Sequence, residues 1–160
     1  MKTLVVYDSQ FGNTERVAHT IGEVLAVAHT SAVVHVHQIE PAQLSNLDLL
    51  IVGSPTQRLN MTPAMTNFFK TIPRGTLKGV RVAVFDTRFT DEHIQSIRVL
   101  PFFVRIFGYA AEKIARSLEA LGGIPAGVPG FFYVIDTEGP LLEDELQRAA
   151  VWVKSVMEPA

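Results

Sequence analysis

The run Thr3-Leu4-Val5-Val6-Tyr7-Asp8-Ser9-Gln10-Phe11-Gly12-Asn13-Thr14-Glu15 decides how this chain is read. Thr3 to Tyr7 is nearly continuous in apolar residues, the pattern of a strand buried on both faces of a parallel sheet. From Thr14 onward, Val17, Ile21, Val24 and Leu25 recur at the spacing of one helix face. The loop between them therefore feeds directly into a helix. A helix N-terminus presents unpaired N–H groups and the positive end of its dipole, so such a junction attracts phosphate. Ser9 and Thr14 add hydroxyl donors, Asn13 adds an amide, and Gly12 lets the backbone approach closely. No Lys or Arg stands between Ser9 and Thr14, so a dianionic monophosphate would be held there by dipoles and neutral donors alone. The competing reading is an ordinary capped turn, in which Ser9, Asn13 and Thr14 only satisfy the helix start. The triphosphate pattern G-x-x-x-x-G-K-[ST] and the dinucleotide pattern G-x-G-x-x-G are both missing.

Strand and helix signals alternate outward from this stretch. Ala32 to Ile39 reads as a second strand, and Leu47 to Val52 as a third, ending in Gly53-Ser54-Pro55. Pro63 to Thr71 reads as a helix, with Pro63 in the first turn where a missing N–H is harmless. Val80 to Phe85 is a fourth strand, and Gly108 to Leu121 a helix closed by Gly122-Gly123. Gly130 to Ile135 is a fifth strand and Leu142 to Met157 the last helix. Five strands alternating with helices predict an α/β helix–sheet–helix sandwich with right-handed crossovers, one domain over residues 1–160. In such an open sheet a ligand sits beyond the C-terminal strand ends, where residues 9–14, 54–61 and 86–91 are expected to meet.

Composition supports one packed domain: 160 residues, 48% apolar and 19% charged. The absence of cysteine excludes disulfides, thiolate metal sites and a cysteine nucleophile. A net charge of −2 gives no basic footprint for nucleic acid. The apolar run that Asp8 stops is shorter than the roughly 7–15 residues of a secretory signal core. Nor does a transmembrane segment of about 20 apolar residues occur, so a soluble cytoplasmic protein is expected.

The sequence resembles the flavodoxin family. The resemblance rests on Val5-Val6-Tyr7-Asp8-Ser9-Gln10-Phe11-Gly12-Asn13-Thr14, on Ile51-Val52-Gly53-Ser54-Pro55-Thr56, and on Val84-Phe85-Asp86-Thr87-Arg88, with the element order of nearly the whole chain. Gly108-Tyr109-Ala110-Ala111, together with Thr137-Glu138-Gly139-Pro140-Leu141, looks like a short flavodoxin-domain subgroup. The resemblance implies a flavodoxin-like three-layer sandwich, a five-stranded parallel sheet of order 2-1-3-4-5, and flavin mononucleotide (FMN) as cofactor. It implies that Ser9, Gln10, Phe11, Gly12, Asn13 and Thr14 bind the FMN phosphate. Pro55, Thr56, Gln57, Arg58, Leu59 and Asn60 would run along one side of the isoalloxazine, and Asp86, Thr87 and Arg88 along the other.

Two features depart from the electron carriers of that family. Those carriers usually sandwich the ring between aromatics, whereas here only Phe89 is aromatic in the two ring loops. They also often place a glycine beside the flavin N5, and residues 54–62 contain none. Arg58 and Arg88 fall in the ring loops, with Arg98 and Arg105 following; Asp86, Asp91 and Glu92 offset them in part. A guanidinium beside an anionic reduced flavin would stabilise it, so a less reducing flavin is expected. The alternative for Arg88 is a structural ion pair with Asp86 or Asp91.

Residues 94–107, Ile-Gln-Ser-Ile-Arg-Val-Leu-Pro-Phe-Phe-Val-Arg-Ile-Phe, are unusually apolar for a connection, and Pro101 breaks any single helix there. They read as a partner, membrane or dimer contact, as a lid, or as a short helix packed on the core. His35 and His37 share a face of the second strand, but no third metal ligand is apparent, and solvated edge histidines are expected. His19 and His29 look like surface residues. Trp152 is expected to pack the last helix on the sheet, and Glu112 with Arg116 to form a surface i,i+4 pair. No catalytic side chain and no metal site is expected.

The favoured function is electron transfer between a reductase and an acceptor protein. One alternative is a small FMN-dependent reductase or oxidase acting on a quinone- or porphyrinogen-like substrate, with Arg58 or Arg88 steadying an anion. Another is a flavin-free interaction module.

Overall fold

The computed structural model describes residues 1–57, 60–90, 96 and 109–158. β1 (Lys2–Tyr7), β2 (Thr30–His35), β3 (Leu49–Pro55) and β4 (Arg81–Phe89) form a parallel sheet in the order β2-β1-β3-β4. The fifth position is shared. β5 (Ile124–Pro125) lies beside Arg81 and Val82, and β6 (Gly130–Val134) beside Phe85 to Phe89. The strand order 2-1-3-4-5 expected from sequence is therefore the observed one, with its last place filled by two segments.

Among the described residues, the sheet is covered by the helices α1 (Asn13–Ala26), α2 (Pro63–Thr71), α3 (Ala110–Ala120) and α4 (Glu145–Met157). Alternation along the strands sends side chains into two cores. On one face Val5, Ile51, Phe85 and Phe132 meet Val17, Ile21 and Leu25 of α1 and Ala149, Val153 and Val156 of α4. On the other, Leu4, Val6, Leu50, Val52 and Val84 meet Met65 and Phe68 of α2 and Ile114 and Leu118 of α3. Each fully buried side chain of this size stabilises the fold by about 1.5–3 kcal/mol. Trp152 packs edge-on against Phe85 and Phe132, as its place on α4 predicts.

Several element boundaries differ from the sequence pattern, each for a local reason. β3 runs on to Pro55 and β4 to Phe89, because β4 is paired with β3 as far as Thr87 and with β6 as far as Phe89. Residues expected to be loops are thus strand ends. β2 stops at His35, whose Nδ1 accepts from the His37 N–H at 3.3 Å in a 3₁₀ turn over Val36–Gln38. α4 begins at Glu145 and not at Leu142, since the Leu142 N–H donates to Tyr133 O and Asp144 has a left-handed backbone. Glu112 does not reach for Arg116; it turns back to accept from the Tyr109 N–H at 2.8 Å, capping α3. No described helix is long and apolar enough to cross a membrane. The roles expected of segment 94–107 fall, Ser96 apart, outside the described residues.

Candidate functional site

A cavity of about 730 Å³ opens at the C-terminal ends of β1, β3, β4 and β6, within the usual range of roughly 300–1,000 Å³ for ligand sites. Its floor comes from the three predicted loops. Ser9, Gln10, Phe11, Asn13 and Thr14 line it from the first, and Pro55, Thr56, Gln57 and Asn60 from the second. Thr87 and Arg88 line it from the third. Arg58 and Leu59 lie outside the described residues. Gly12 and Asp86 do not line the cavity; both act from behind it.

Gly12 sits at the start of α1 with φ 83°, a left-handed conformation natural to glycine, and no side chain caps the helix. The helix start is thus not satisfied by a side-chain cap. Ser9 Oγ accepts from the Gly12 N–H at 3.1 Å, and Asp8 accepts from the Ser9 N–H at 2.9 Å, so the turn is braced from within. The Arg16 N–H bonds Gly12 O at 3.0 Å, and Asn13 and Thr14 of the first turn line the cavity. The Asn13 amide is partly committed, donating to Glu138 O at 3.1 Å, while the Thr14 and Thr87 hydroxyls pair at 2.8 Å. Gln57 and Asn60 exchange backbone hydrogen bonds, and the Gln57 side chain donates to that of Gln10, tying the first two loops together.

Asp86 is fully buried. Its carboxylate accepts from Arg88 Nε and Nη2 at 2.6 Å each, from Thr56 Oγ1 at 3.2 Å and from the Ala111 N–H at 3.0 Å. The Thr56 hydroxyl in turn accepts from the Ala110 N–H at 3.2 Å. One carboxylate therefore joins the end of β3, the end of β4 and the start of α3. The Arg88 guanidinium lies 3.5 Å from the centroid of the Tyr109 ring and 5.0 Å from that of Phe131. Burial alone would lower the Arg88 pKa, but its bonds to Asp86 hold it above the ordinary value, so the cation persists. Of the two readings of Arg88, the ion pair with Asp86 is the one observed.

The site has a fourth wall that the three-loop expectation omitted: Val134, the last residue of β6, and Thr137 beyond it. A parallel fifth strand ends on the same side of the sheet as the others, which was the available signal. Met61, Pro63 and Phe89 also line the cavity; Phe89 was noted only as an aromatic. The histidines are not merely solvated. His35 stacks on His37, packs edge-on against Tyr7 and sets Nε2 3.3 Å from Asp8 Oδ1, next to the first loop. Among the described residues, no group of three or more His, Cys, Asp or Glu side chains could hold a metal ion.

Comparisons with known proteins agree with this geometry. The sequence profile of the flavodoxin domain matches residues 4–121. No curated protein matches the chain. Among solved structures, oxidised flavodoxin 1 from Bacillus cereus is similar at TM-score 0.74 and 16% identity, over 98% of this chain and 97% of that one. A flavodoxin from the domain Archaea is similar at 0.71 and 21% identity, over 98% and 96%. Rubredoxin oxygen:oxidoreductase from Desulfovibrio gigas shares the fold at 0.72 and 15% identity, but this chain spans only 35% of that one. Identities this low carry the fold alone; the profile match over most of the sequence establishes that the chain belongs to the flavodoxin family, whose cofactor is FMN.

Proposed function

We propose that this protein is an FMN-dependent electron carrier working between a reductase and an acceptor protein, with FMN seated in the cavity between the four strand ends. The observation that carries the reading is the uncapped start of α1 opening beside Ser9 and Thr14. It suits a phosphate that needs dipolar donors and no lysine or arginine. The residues fit the rest of the group too. Pro55, Thr56, Gln57 and Asn60 provide one wall for a flat ring, Thr87 to Phe89 the facing one, and Thr137 stands at the open side.

Bound FMN supplies the redox chemistry, while the chain binds, orients and electrostatically tunes it. Ser9 and Thr14 and the N–H groups of α1 would hold the phosphate end. Thr56, fixed through Asp86 and the start of α3, keeps the second loop at a set distance from the third. The alternative of a self-sufficient reductase asks Arg58 or Arg88 to steady an anionic substrate. The Arg88 guanidinium is already engaged by Asp86 and Tyr109, which favours the carrier.

The test is the visible spectrum of freshly purified protein, followed by titration with FMN and with riboflavin. Yellow protein and a clear preference for FMN support the reading; a colourless protein that takes up neither ligand favours a flavin-free interaction module. Turnover with NAD(P)H and a quinone by the purified protein alone would favour the enzyme, and turnover only with an added reductase the carrier.

A further inference from the structure

We propose that Asp86 keeps Arg88 electrically neutral towards the cavity, so that an ion pair, and not a free guanidinium, sets the reduction potential of bound FMN. The inference rests on the FMN reading and concerns the tuning of that same site.

Arg88 is the one charged residue among the described residues lining the cavity. A count of charges in the sequence would make it a cation facing the ligand. The structure gives it other engagements on three sides. Two of its nitrogens meet both oxygens of Asp86 at 2.6 Å, and its flat face lies on Tyr109 at 3.5 Å, with Phe131 beyond at 5.0 Å. Its side chain is only 9% exposed and that of Asp86 is 0% exposed. Turning the guanidinium towards a ligand would strand a carboxylate in the dry interior, which is strongly unfavourable.

Asp86 cannot follow Arg88. Thr56 Oγ1 and the Ala111 N–H also donate to it, and the second of these belongs to the start of α3, where an anion is favoured. The neighbouring charge is negative as well: the Glu112 carboxylate accepts from the Tyr109 N–H at 2.8 Å. Among the described residues, Asp86, Arg88 and Glu112 together leave this side neutral to slightly acidic. Anionic reduced flavin then gains nothing from Arg88, so this residue makes no contribution to the less reducing flavin expected from the sequence.

The experiment measures the midpoint potential of bound FMN in the intact protein by spectroelectrochemistry. Asp86→Asn removes the negative charge, and its side-chain carbonyl can still accept from Thr56 and Ala111. The cation is then uncompensated, and reduced FMN gains at least about tenfold over oxidised FMN in relative affinity, a shift of about 30 mV to less negative potential for a two-electron couple. The double variant Asp86→Asn with Arg88→Met replaces the pair by two neutral groups and stays within about threefold of the wild-type ratio. An unmoved potential in Asp86→Asn overturns the proposal. So does a double variant whose potential becomes more negative by tenfold or more in that ratio, because Arg88 would then have acted as a free cation. Should Asp86→Asn fail to fold, the double variant decides alone, since it leaves no buried unpaired charge. Wild-type protein that takes up no FMN overturns the FMN reading itself, and the inference with it.

Discussion

The hydroxyl oxygens of Thr14 and Thr87 lie 2.8 Å apart in the interior, joining the start of α1 to the end of β4. Thr14 is 1% exposed and Thr87 5%, yet both border the cavity. Each hydroxyl carries one hydrogen. One of them donates to the other, and the acceptor's own hydrogen remains to be directed at a ligand. With Thr87 as the donor, the Thr14 hydrogen is left for the phosphate proposed at this loop, although Thr87 stands 73 residues away in sequence. Thr87→Val is expected to weaken FMN binding about tenfold, as for one charge-assisted hydrogen bond, and riboflavin by less than about threefold. Thr87→Ser should restore the preference. Equal losses for the two ligands would place the phosphate elsewhere.

The wall beyond β6 is latched to the first loop through Asn13, whose amide donates to Glu138 O. Gly139 has φ 102°, and a Cβ there would stand 2.5 Å from Asn13 Nδ2. Gly139→Ala is therefore both strained and crowded, and a loss of about 1–3 kcal/mol in urea unfolding is expected. Asn13→Ala relieves the crowding but not the strain, so the double variant should lose less than the sum of the two single ones. Strict additivity would show that the latch does not act as a unit.

Tyr7 closes β1 and donates through its hydroxyl to Glu15 Oε1 at 2.9 Å, bracing the loop between them. Burial first, and then the bond to Glu15 and its negative charge, push the Tyr7 pKa from 10.0 to about 12. The folded-state pKa is thus raised above the unfolded one. The stability linked to the neutral phenol is fully present below pH 10 and is lost as the pH climbs towards 12. Chemical unfolding between these limits should show that slope in the wild-type protein and a shallower one in Tyr7→Phe. Parallel profiles would exclude the linkage. At neutral pH the substitution should cost about 1 kcal/mol for the lost hydrogen bond.

The outer edge of the sheet is closed by side chains. Glu145, 4% exposed, accepts from the Tyr133 N–H at 2.9 Å and holds Arg148, which reaches Phe131 O at 3.4 Å. Glu145→Ala removes the acceptor of the Tyr133 N–H in the edge strand. A loss of about 1–3 kcal/mol is expected, with more self-association on light scattering, because an unpaired strand edge invites pairing with another chain. Unchanged stability and scattering would mean that the edge needs no such cover.

Much of the fold was legible because its signals are local. The apolar run Leu4 to Tyr7 requires burial on both faces, and the Val17-Ile21-Leu25 spacing requires one buried helix face, whichever partners supply it. The first loop was legible for the same reason: Ser9 to Thr14 sit between a strand and a helix, and a helix start always bears free N–H groups. The extension of β4 to Phe89 was not legible. It depends on β3 and β6 lying alongside, a pairing no local window contains.

The sequence by itself determined the α/β alternation, the strand order through its family resemblance, and the position and neutral character of the loop proposed to hold the phosphate. Local periodicity and turn chemistry suffice for these. Only the tertiary structure decided what the charges do. Arg88 and Asp86 are two residues apart on one face of β4, a spacing that allows a pair without requiring it. Thr56, Ala111 and Tyr109 arrive from elsewhere in the chain to fix it. The same holds for Thr87 beside Thr14 and for Thr137 on the fourth wall. Electrostatics and hydrogen bonding act through space at a few ångströms, and residues brought that close by the fold can be far apart along the chain.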